Sequence, residues 1–395
     1  MRRLLLLVIA LIVYGSLYPW HFVPRHLDAN PFALLFRTWP MQFDRYAIRD
    51  LTVNVLLYAP LGATAFLAFG RRCGRAWGVA LPMLLGLALS TAIELAQLFD
   101  VSRTASAFDV VCNVSGCGAG VWVASRFRKQ LESAARLRLA SSKAVAGGLL
   151  LLLVWIAYQL YPLFPNLSRH RLADAFHTLF SLGAFSFIEF GRSAAEWLAA
   201  GLLLECAFGR EGARPRFVLL LLALPLRMVI VQRQLALAEV AGAGAALLVL
   251  FLWVLPLRGS VFPRSDRRRC AWVAGGLLAL VVLRGLSPFH FSAERGAFLW
   301  VPFIGALNAD PYTGVLVVAR KAFDYGAATF LLWQAGLGYV PATVLVAAIL
   351  SVVEAVQMYL PSHVAEITDP LLAVLLSLVL WQVEKHFRRG NLAQD

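Results

Sequence analysis

The chain has 395 residues, of which 60% are hydrophobic and only 15% are charged, and its mean hydropathy is +0.72. A soluble domain averages roughly 25% charged residues, so this composition excludes an ordinary soluble protein and predicts an all-α polytopic membrane protein. The net charge of +14 does not predict a nucleic-acid partner, because the basic residues lie mostly in short loops between apolar segments, where they set membrane orientation.

The first apolar segment covers residues 4–17 and follows Met1-Arg2-Arg3. It ends at Tyr18-Pro19 without a small-x-small cleavage site, which predicts an uncleaved membrane helix with a cytoplasmic amino terminus. Further apolar segments bring the prediction to about twelve transmembrane helices. They are residues 51–69, 76–98, 109–125, 144–161, 193–208, 216–231, 238–256, 271–286, 322–336, 340–358 and 369–384.

A polar and aromatic loop over residues 20–49 follows the first segment and is predicted to be external. Alternate connections further along the chain carry clusters of basic residues, such as Arg71, Arg72 and Arg75, and the carboxyl-terminal tail is basic too. The positive-inside rule then predicts an inner-membrane protein with both termini in the cytoplasm. The external loop would bring five basic side chains to the outer face, namely His21, Arg25, Arg37, Arg45 and Arg49.

A polar hairpin over residues 90–120 joins two of the apolar segments. Glu94 and Gln97 stand at helical i, i+3 positions, and Asp109 and Asn113 stand at i, i+4, so each pair shares one face of its helix. Arg103 lies in the loop between the two pairs. The sequence therefore predicts a polar cluster at one end of a helix hairpin, on the outer face.

Asp50 and Asn54 begin the preceding helix and are expected at the same end as the hairpin. Ionisable groups inside membrane helices are costly unless they pair or line a wet cavity, so they mark functional sites. Such a pocket suits a phosphate or sugar headgroup, or acid–base catalysis with Glu94 and Asp109 as the catalytic candidates. The candidate ligand-binding residues are Asp50, Asn54, Glu94, Gln97, Arg103, Asp109 and Asn113.

Structural roles are the alternatives for the same residues. Ser106 and Asp109 have the spacing of a helix cap, and Glu94 with Arg103 is a candidate structural ion pair that closes the hairpin. The two asparagines of the set are candidates for interhelical hydrogen bonds. The glycines that follow in the second helix predict close helix packing; they are Gly116, Gly118 and Gly120.

Parts of the hairpin recur along the chain. The Glu94-x2-Gln97 pair recurs as Glu354-x2-Gln357, and Asp369 follows Glu354 at the distance at which Asp109 follows Glu94. We therefore predict three tandem four-helix units, over residues 1–140, 141–265 and 266–395, related by rotation about an axis near the membrane normal.

The second and third units depart from the full polar set. The middle unit has Leu224 and Arg227 where the glutamate and glutamine are expected, while Arg192 and Glu196 keep the spacing of the first unit's Asp50 and Asn54. In the third unit Asp369 is expected to act as a helix cap alone. We therefore expect the chemistry in the first unit and a scaffold role for the other two.

The order of polar residues in the first unit resembles the VanZ-like family of bacterial membrane proteins. The third unit resembles the family more loosely, through Lys321-x2-Asp324-Tyr325. The resemblance implies an envelope role, with some members linked to low-level teicoplanin resistance, and it implies no established reaction. The residues that carry it are Asp50-x3-Asn54-x5-Pro60-x-Gly62, Glu94-x2-Gln97, Arg103 and Asp109-x3-Asn113-x2-Gly116-x3-Gly120.

The leading functional hypothesis is an envelope protein that binds or modifies a lipid-linked or polyanionic component at the extracytoplasmic face. A membrane enzyme that uses Glu94 or Asp109 as acid and base, and a transporter, are the alternatives. The expected partners are membrane lipids and a lipid-linked glycan or envelope polymer. No cofactor or metal is expected, because the sequence has no zinc motif, glycine-rich phosphate loop or nucleophile elbow.

Overall fold

In a computed structural model the chain folds as two compact units, Met1–Ser133 and Ala134–Asp395. The division into three units of similar size stays a prediction. The structure describes residues 1–24, 26–39, 45–70, 74–136, 145–162, 168–170, 173, 177, 185–230, 235–254 and 266–391.

The first unit is built from helices whose apolar side chains recur at helical spacing. Residues of α1, α3 and α4 pack into one core, which includes Ile12, Tyr58, Leu61 and Ile93. Polar groups are thereby left at the helix ends and loops, where the candidate site lies. The helices are α1 (Arg2–Leu17), α2 (Pro31–Arg37), α3 (Arg45–Phe69), α4 (Gly74–Gln97) and α5 (Ala107–Arg136).

Glycines let α3 and α5 approach each other closely. A Cβ atom on Gly116 would lie 2.5 Å from the carbonyl oxygen of Val55, and one on Gly120 would overlap the carbonyl oxygen of Ala59. Backbone atoms cannot move aside as flexible side chains do, so a larger residue at either position would push the helices apart. The prediction of close helix packing at these two glycines is confirmed.

The second unit is also helical, apart from a pair of two-residue parallel strands in which Phe298 lies opposite Ala365. Its core contains large aromatic side chains such as Trp155, Trp197 and Phe323. The elements are α6 (Val145–Leu160), α7 (Phe187–Leu221), α8 (Ala223–Val229), α9 (Leu237–Val254), α10 (Asp266–Leu286), β1 (Phe298–Leu299), α11 (Ile304–Asn308), α12 (Pro311–Gln334), α13 (Tyr339–Gln357), β2 (Ala365–Glu366) and α14 (Thr368–Asn391).

Three predicted segments differ from the helices of the second unit. The segments at 193–208 and 216–231 are covered by α7, which runs to Leu221, and by α8, and α7 is kinked at Gly209, which has a left-handed backbone with φ of 70°. The segment predicted at 322–336 belongs to α12, which begins earlier, at Pro311, after an Asp310 cap. A run of apolar residues predicts the apolar part of a helix and misses a first part that ends in charged residues, as at Arg320 and Lys321.

Six of the described helices are long and apolar enough to cross a membrane. Two shorter apolar helices, Ala146–Leu160 and Leu237–Trp253, accompany them. The described residues therefore form an all-α membrane protein, while the count of twelve transmembrane helices stays a prediction. The six spans are Asp50–Phe69, Ala76–Gln97, Ala107–Arg128, Asp266–Leu286, Tyr339–Gln357 and Thr368–Phe387.

Candidate functional site

Glu94 holds the loop of the polar hairpin against the end of α4. One of its carboxylate oxygens accepts a hydrogen bond from the backbone N–H of Ser106 at 2.8 Å, and the residue is only 3% exposed. The Ser106 hydroxyl in turn accepts from the Phe108 N–H at 3.1 Å, which caps α5 as the sequence predicted. Glu94 is therefore first of all an acceptor for a buried backbone donor, which would otherwise be left unpaired.

Gln97 and Arg103 both bind the carboxyl-terminal end of α1. The Gln97 amide donates to the carbonyl of Ser16 at 2.8 Å, and the Arg103 guanidinium donates twice to the carbonyl of Tyr18, at 3.0 and 2.7 Å. A helix end leaves its last carbonyls unpaired, and these side chains satisfy two of them. The alternative of a structural ion pair between Glu94 and Arg103 is wrong, because among the described residues no ion pair joins them and Arg103 binds the end of α1 instead.

Asn54 and Asp109 join α3 to α5 at the same end of the unit. The Asn54 amide donates to one Asp109 carboxylate oxygen at 2.8 Å. Asp109 is half-buried, and Asp50 is exposed within electrostatic range of it. The alternative of a capping role alone for Asp109 is therefore wrong, because its side chain reaches across to the neighbouring helix.

Asn113 lies deeper along α5 and binds the hydroxyl of Ser90 on α4 at 2.9 Å. The predicted interhelical hydrogen bonds of Asn54 and Asn113 are thus both present. The amide oxygen of Asn113 is buried and has no hydrogen-bond partner within the described part of the chain. Buried polar side-chain atoms are usually paired, so this acceptor is an exception among the contacts of the candidate residues.

The loop between the hairpin helices is ordered by Asp100. Its carboxylate accepts from the Ser102 hydroxyl at 2.6 Å and from the Ser102 N–H at 2.9 Å. The hydroxyl contact lowers the pKa of Asp100 below its usual range. Beside this turn, Val23 donates to the Phe99 carbonyl at 2.8 Å and joins the external loop to the hairpin.

The seven candidate residues thus lie toward one end of the first unit and fall into three groups. Glu94, Gln97 and Arg103 bind backbone atoms, and Asn113 binds a hydroxyl on a neighbouring helix. Asn54 and Asp109 bind each other, and Asp50 is exposed within electrostatic range of Asp109. Of the external loop's basic residues, His21 and Arg37 are exposed. The side chains of Arg25, Arg45 and Arg49 lie outside the described residues.

The same backbone contacts recur in the second unit at the predicted motif. Glu354, 2% exposed, accepts from the backbone N–H of Glu366 at 2.7 Å, across the sequence separation that joins Glu94 to Ser106. The Gln357 amide donates to the carbonyl of Gly285 at 2.9 Å, as Gln97 does to the end of α1.

Asp369 in the second unit has partners on a neighbouring helix. The Lys321 ammonium donates to one of its carboxylate oxygens at 2.5 Å, and the Tyr325 hydroxyl donates to the other at 2.6 Å. The prediction that Asp369 acts as a helix cap alone is therefore wrong. Its partners lie on α12, far away in sequence, so the local cap pattern could not reveal them.

A buried ionic network in the second unit was missed by sequence reasoning. The Arg192 guanidinium binds three carboxylates, those of Glu189 at 2.7 Å, Glu196 at 2.5 Å and Glu239 at 2.8 Å. Arg227 shares the Glu239 carboxylate at 3.0 Å. The i, i+3 and i, i+4 spacing of Glu189, Arg192 and Glu196 on one helix was the available signal. Charges this buried are tolerated because each has partners of opposite sign.

The described residues contain no group of three or more histidine, cysteine, aspartate or glutamate side chains placed to hold a metal ion. Within the part of the chain that the structure describes, the candidate sites are therefore built from carboxylates, amides and a few cations. This donor set suits hydroxyl, amine and phosphate groups of a polar ligand.

The comparison with protein families identifies one part of the chain. Residues 3–128, the first third, match the family model for VanZ/LLP1. This range contains the polar hairpin, Asp50 and Asn54, so the residues at the candidate site belong to a VanZ-like region of a membrane protein. No curated protein and no solved structure matches the chain.

Proposed function

We propose that the VanZ-like unit binds a lipid-linked component of the bacterial envelope at the extracytoplasmic face of the inner membrane, with both chain termini in the cytoplasm. The observation that carries this proposal is the half-buried Asn54–Asp109 pair beside the exposed Asp50. These groups lie at the same end of the unit as the buried Glu94–Ser106 contact, and we infer that together they form the binding site.

The chemistry of these groups favours a ligand rich in hydroxyl or amine groups. Only one oxygen of Asp109 is used by Asn54, so the carboxylate keeps acceptor capacity, and Asp50 adds a second carboxylate. Sugar hydroxyls and amines donate to carboxylates, as a lipid-linked glycan would. Arg103 still has donors beyond the two that bind Tyr18, and these suit a phosphate group of the same ligand.

A polyanionic ligand has less support. The described site residues carry three carboxylates, those of Asp50, Glu94 and Asp109, against the single guanidinium of Arg103. A polyanion would need the arginines of the external loop to outweigh these carboxylates. The lipid-linked ligand, with few phosphates and many hydroxyls, is therefore the version that we favour.

We also infer that the two polar hairpins are copies of one ancestral unit. The supporting observations are the two glutamate contacts and the two glutamine contacts, which join equivalent atoms at equivalent spacing. The buried network around Arg192 and Glu239 occupies the middle of the chain between them. This arrangement supports three repeated units in one chain.

Native mass spectrometry of the detergent-purified full chain tests the binding proposal. Wild-type protein is expected to retain a lipid-linked glycan, and Asp109→Asn with Asp50→Asn to lose it, because both changes remove charge and keep the shape of the side chain. Glu294→Gln, the same kind of change at an exposed position of the second unit, serves as the matched control. Equal occupancy in the double variant and the wild type would refute the pocket.

A cellular readout follows from the family resemblance. Cells that express the wild-type chain are expected to show raised tolerance to teicoplanin, and cells with the double variant at equal protein level are expected to lose it. Unchanged tolerance in the variant would show that any resistance does not depend on Asp50 and Asp109.

An enzyme is the second candidate, and the proximity of carboxylates favours it. Asp109 lies within electrostatic range of both Asp50 and Glu94, so these groups could share a proton in acid–base catalysis. Glu94 is buried behind Ser106, which makes Asp109 the better placed acid or base. In an enzyme, Asp109→Asn alone would abolish turnover of the co-purified ligand while its binding persisted.

A transporter is the remaining alternative. Charges buried among the helices of the second unit, such as Arg192 and Glu196, are the feature that favours it. Uptake or efflux of the co-purified ligand in proteoliposomes would support transport. Loss of that flux in Glu196→Gln, with ligand binding retained, would assign the second unit to the pathway.

A further inference from the structure

A cavity of about 180 Å³ lies in the second unit, between α11, α12 and the start of α14. Apolar side chains, among them Val317, Val318 and Leu372, form much of its lining. Lys321 and Glu366 also line it and bring one charge of each sign. A concave site with apolar walls and a few polar groups is the usual form of a small-ligand site.

Lys321 keeps hydrogen-bonding capacity beyond its known partner. An ammonium group has three donors, and the described contact to Asp369 uses one of them. The Lys321 side chain is 26% exposed, so its remaining donors are accessible from the cavity that it lines. A phosphate oxygen is the natural acceptor for such an ammonium.

Glu366 supplies the opposite charge. One of its oxygens accepts from the Gly305 N–H at 3.1 Å, while its own backbone N–H is taken by Glu354. A carboxylate has about four lone-pair sites, so capacity remains for a donor in the cavity. A primary ammonium group offers both the charge and the N–H donors that this carboxylate needs.

The balance of charge decides which headgroup fits. Lys321 is already neutralised by Asp369, so the Glu366 carboxylate leaves the cavity with an excess negative charge. A purely anionic headgroup would add to this excess, and a quaternary ammonium would offer no N–H donor. A headgroup with one phosphate and one primary amine satisfies both residues at once.

The position of the cavity gives independent support. Lys321 binds Asp369 as Asn54 binds Asp109, and Glu366 donates its N–H to Glu354 as Ser106 does to Glu94. The second unit therefore has two charged side chains, Lys321 on α12 and Glu366 in the hairpin loop, at contacts where the first unit has Asn54 and Ser106. The nearby chain exposes Trp300, which at 73% exposure suits the headgroup layer of a membrane.

We propose that this cavity is a second binding site, in which Lys321 binds the phosphate and Glu366 binds the amine of an aminophospholipid headgroup. The apolar walls around Val317, Val318 and Leu372 contact the adjoining part of the lipid. The site lies in the second unit and uses none of the residues of the proposed VanZ-like pocket. Its failure and the failure of that pocket are therefore distinguishable.

Binding of short-chain lipids to the purified full chain tests the site. We expect dihexanoyl phosphatidylethanolamine to bind at least about tenfold more tightly than the matching phosphatidylglycerol or phosphatidylcholine. Lys321→Gln and Glu366→Gln should each weaken its binding by about tenfold or more, because each removes one charge-assisted hydrogen bond. Equal affinity of the wild type for the three lipids, or no binding of any, would overturn the proposal.

Matched control variants distinguish a loss of lipid contacts from a general effect of changed charge and from misfolding. Lys385→Gln makes the same charge change on α14, about 24 Å along that helix from Asp369, and should bind like the wild type. Glu294→Gln is the control for Glu366→Gln. Val318→Phe fills the apolar part of the cavity without changing its charge and should abolish binding while the protein stays folded. Retained binding in a folded Val318→Phe protein would place the lipid elsewhere.

Free O-phosphoethanolamine distinguishes the source of the ligand. Weaker binding of the free compound than of the short-chain lipid supports a membrane ligand, since the apolar walls then contribute. Equal affinity supports the same Lys321 and Glu366 chemistry with a soluble amine phosphate as the ligand.

Discussion

The hairpin of α4 and α5 in the first unit and the hairpin of α13 and α14 in the second have the same internal contacts. In each, a buried glutamate accepts a backbone N–H from the loop and a glutamine binds the carbonyl end of a preceding helix. These contacts satisfy backbone groups that would otherwise be unpaired in an apolar surrounding. These contacts therefore determine how the hairpin folds, and they do not determine which ligand it binds.

The two hairpins differ in the residues that face each other between helices. Asp109 is held by the neutral Asn54, whereas Asp369 is held by the cationic Lys321 and by Tyr325. The first hairpin also packs through glycine at position 120, where the second has the buried Leu380. The comparison teaches that one scaffold can hold the same aspartate with a neutral amide or with a cation when only a few side chains change.

The largest expected effect concerns the glycine packing that only the first hairpin has. Gly120→Leu should destabilise the protein by about 3 kcal/mol, because the new side chain would overlap the backbone at Ala59. Gly275→Leu is the control, since a Cβ there meets no atom within 4 Å. Thermal unfolding in detergent measures both, and equal midpoints for the two variants would contradict the close approach of α3 and α5.

The next effect should be shared by the two hairpins. Glu94→Ala and Glu354→Ala should each destabilise the protein by about 1–3 kcal/mol, because each leaves a buried backbone N–H without its acceptor. Glu94→Gln and Glu354→Gln keep an amide oxygen at the same place and should have a smaller effect. Chemical denaturation in mixed micelles measures the free energy of unfolding of each variant. A loss of stability at only one of the two glutamates would contradict the claim that the hairpins use them in the same way.

The smallest effect is a pH dependence that only the first hairpin should show. Asp100 has a lowered pKa in the folded state because the Ser102 hydroxyl binds its carboxylate, while the second hairpin has Leu360 at the matching position. The stabilisation is complete above the unfolded-state pKa of about 3.9 and is lost as the pH falls through the lower folded-state value. Thermal midpoints from pH 6 to pH 3 should fall less in Asp100→Asn than in the wild type; parallel curves would contradict this.

Spacing along the sequence predicted much of the hairpin. The i, i+3 pair of Glu94 and Gln97 and its copy in the second unit both make the same contacts. The helix cap at Ser106 and the packing of Gly116 were also predicted, because caps and small-residue faces are local patterns.

Partner choice was predicted less well. Glu94 was one candidate partner of Arg103, which binds the carbonyl of Tyr18 at the end of the first helix instead. Asp369 was expected to cap its own helix and binds Lys321 on another. In both cases a local pattern suggested the nearest partner, whereas the tertiary fold brought a better donor or acceptor from a distance.

The sequence by itself determined the membrane class, the helical architecture and the recurrence of the polar hairpin. Composition and periodicity are sufficient for this, because apolar helices and their polar ends follow from local hydrophobicity and backbone hydrogen bonding. Only the tertiary structure decided which polar groups bind backbone atoms and which line a cavity. Glu94 binds a backbone N–H, whereas Lys321 lines the cavity of the second unit. That distinction depends on how separate helices approach one another, and the spacing within one helix does not contain it.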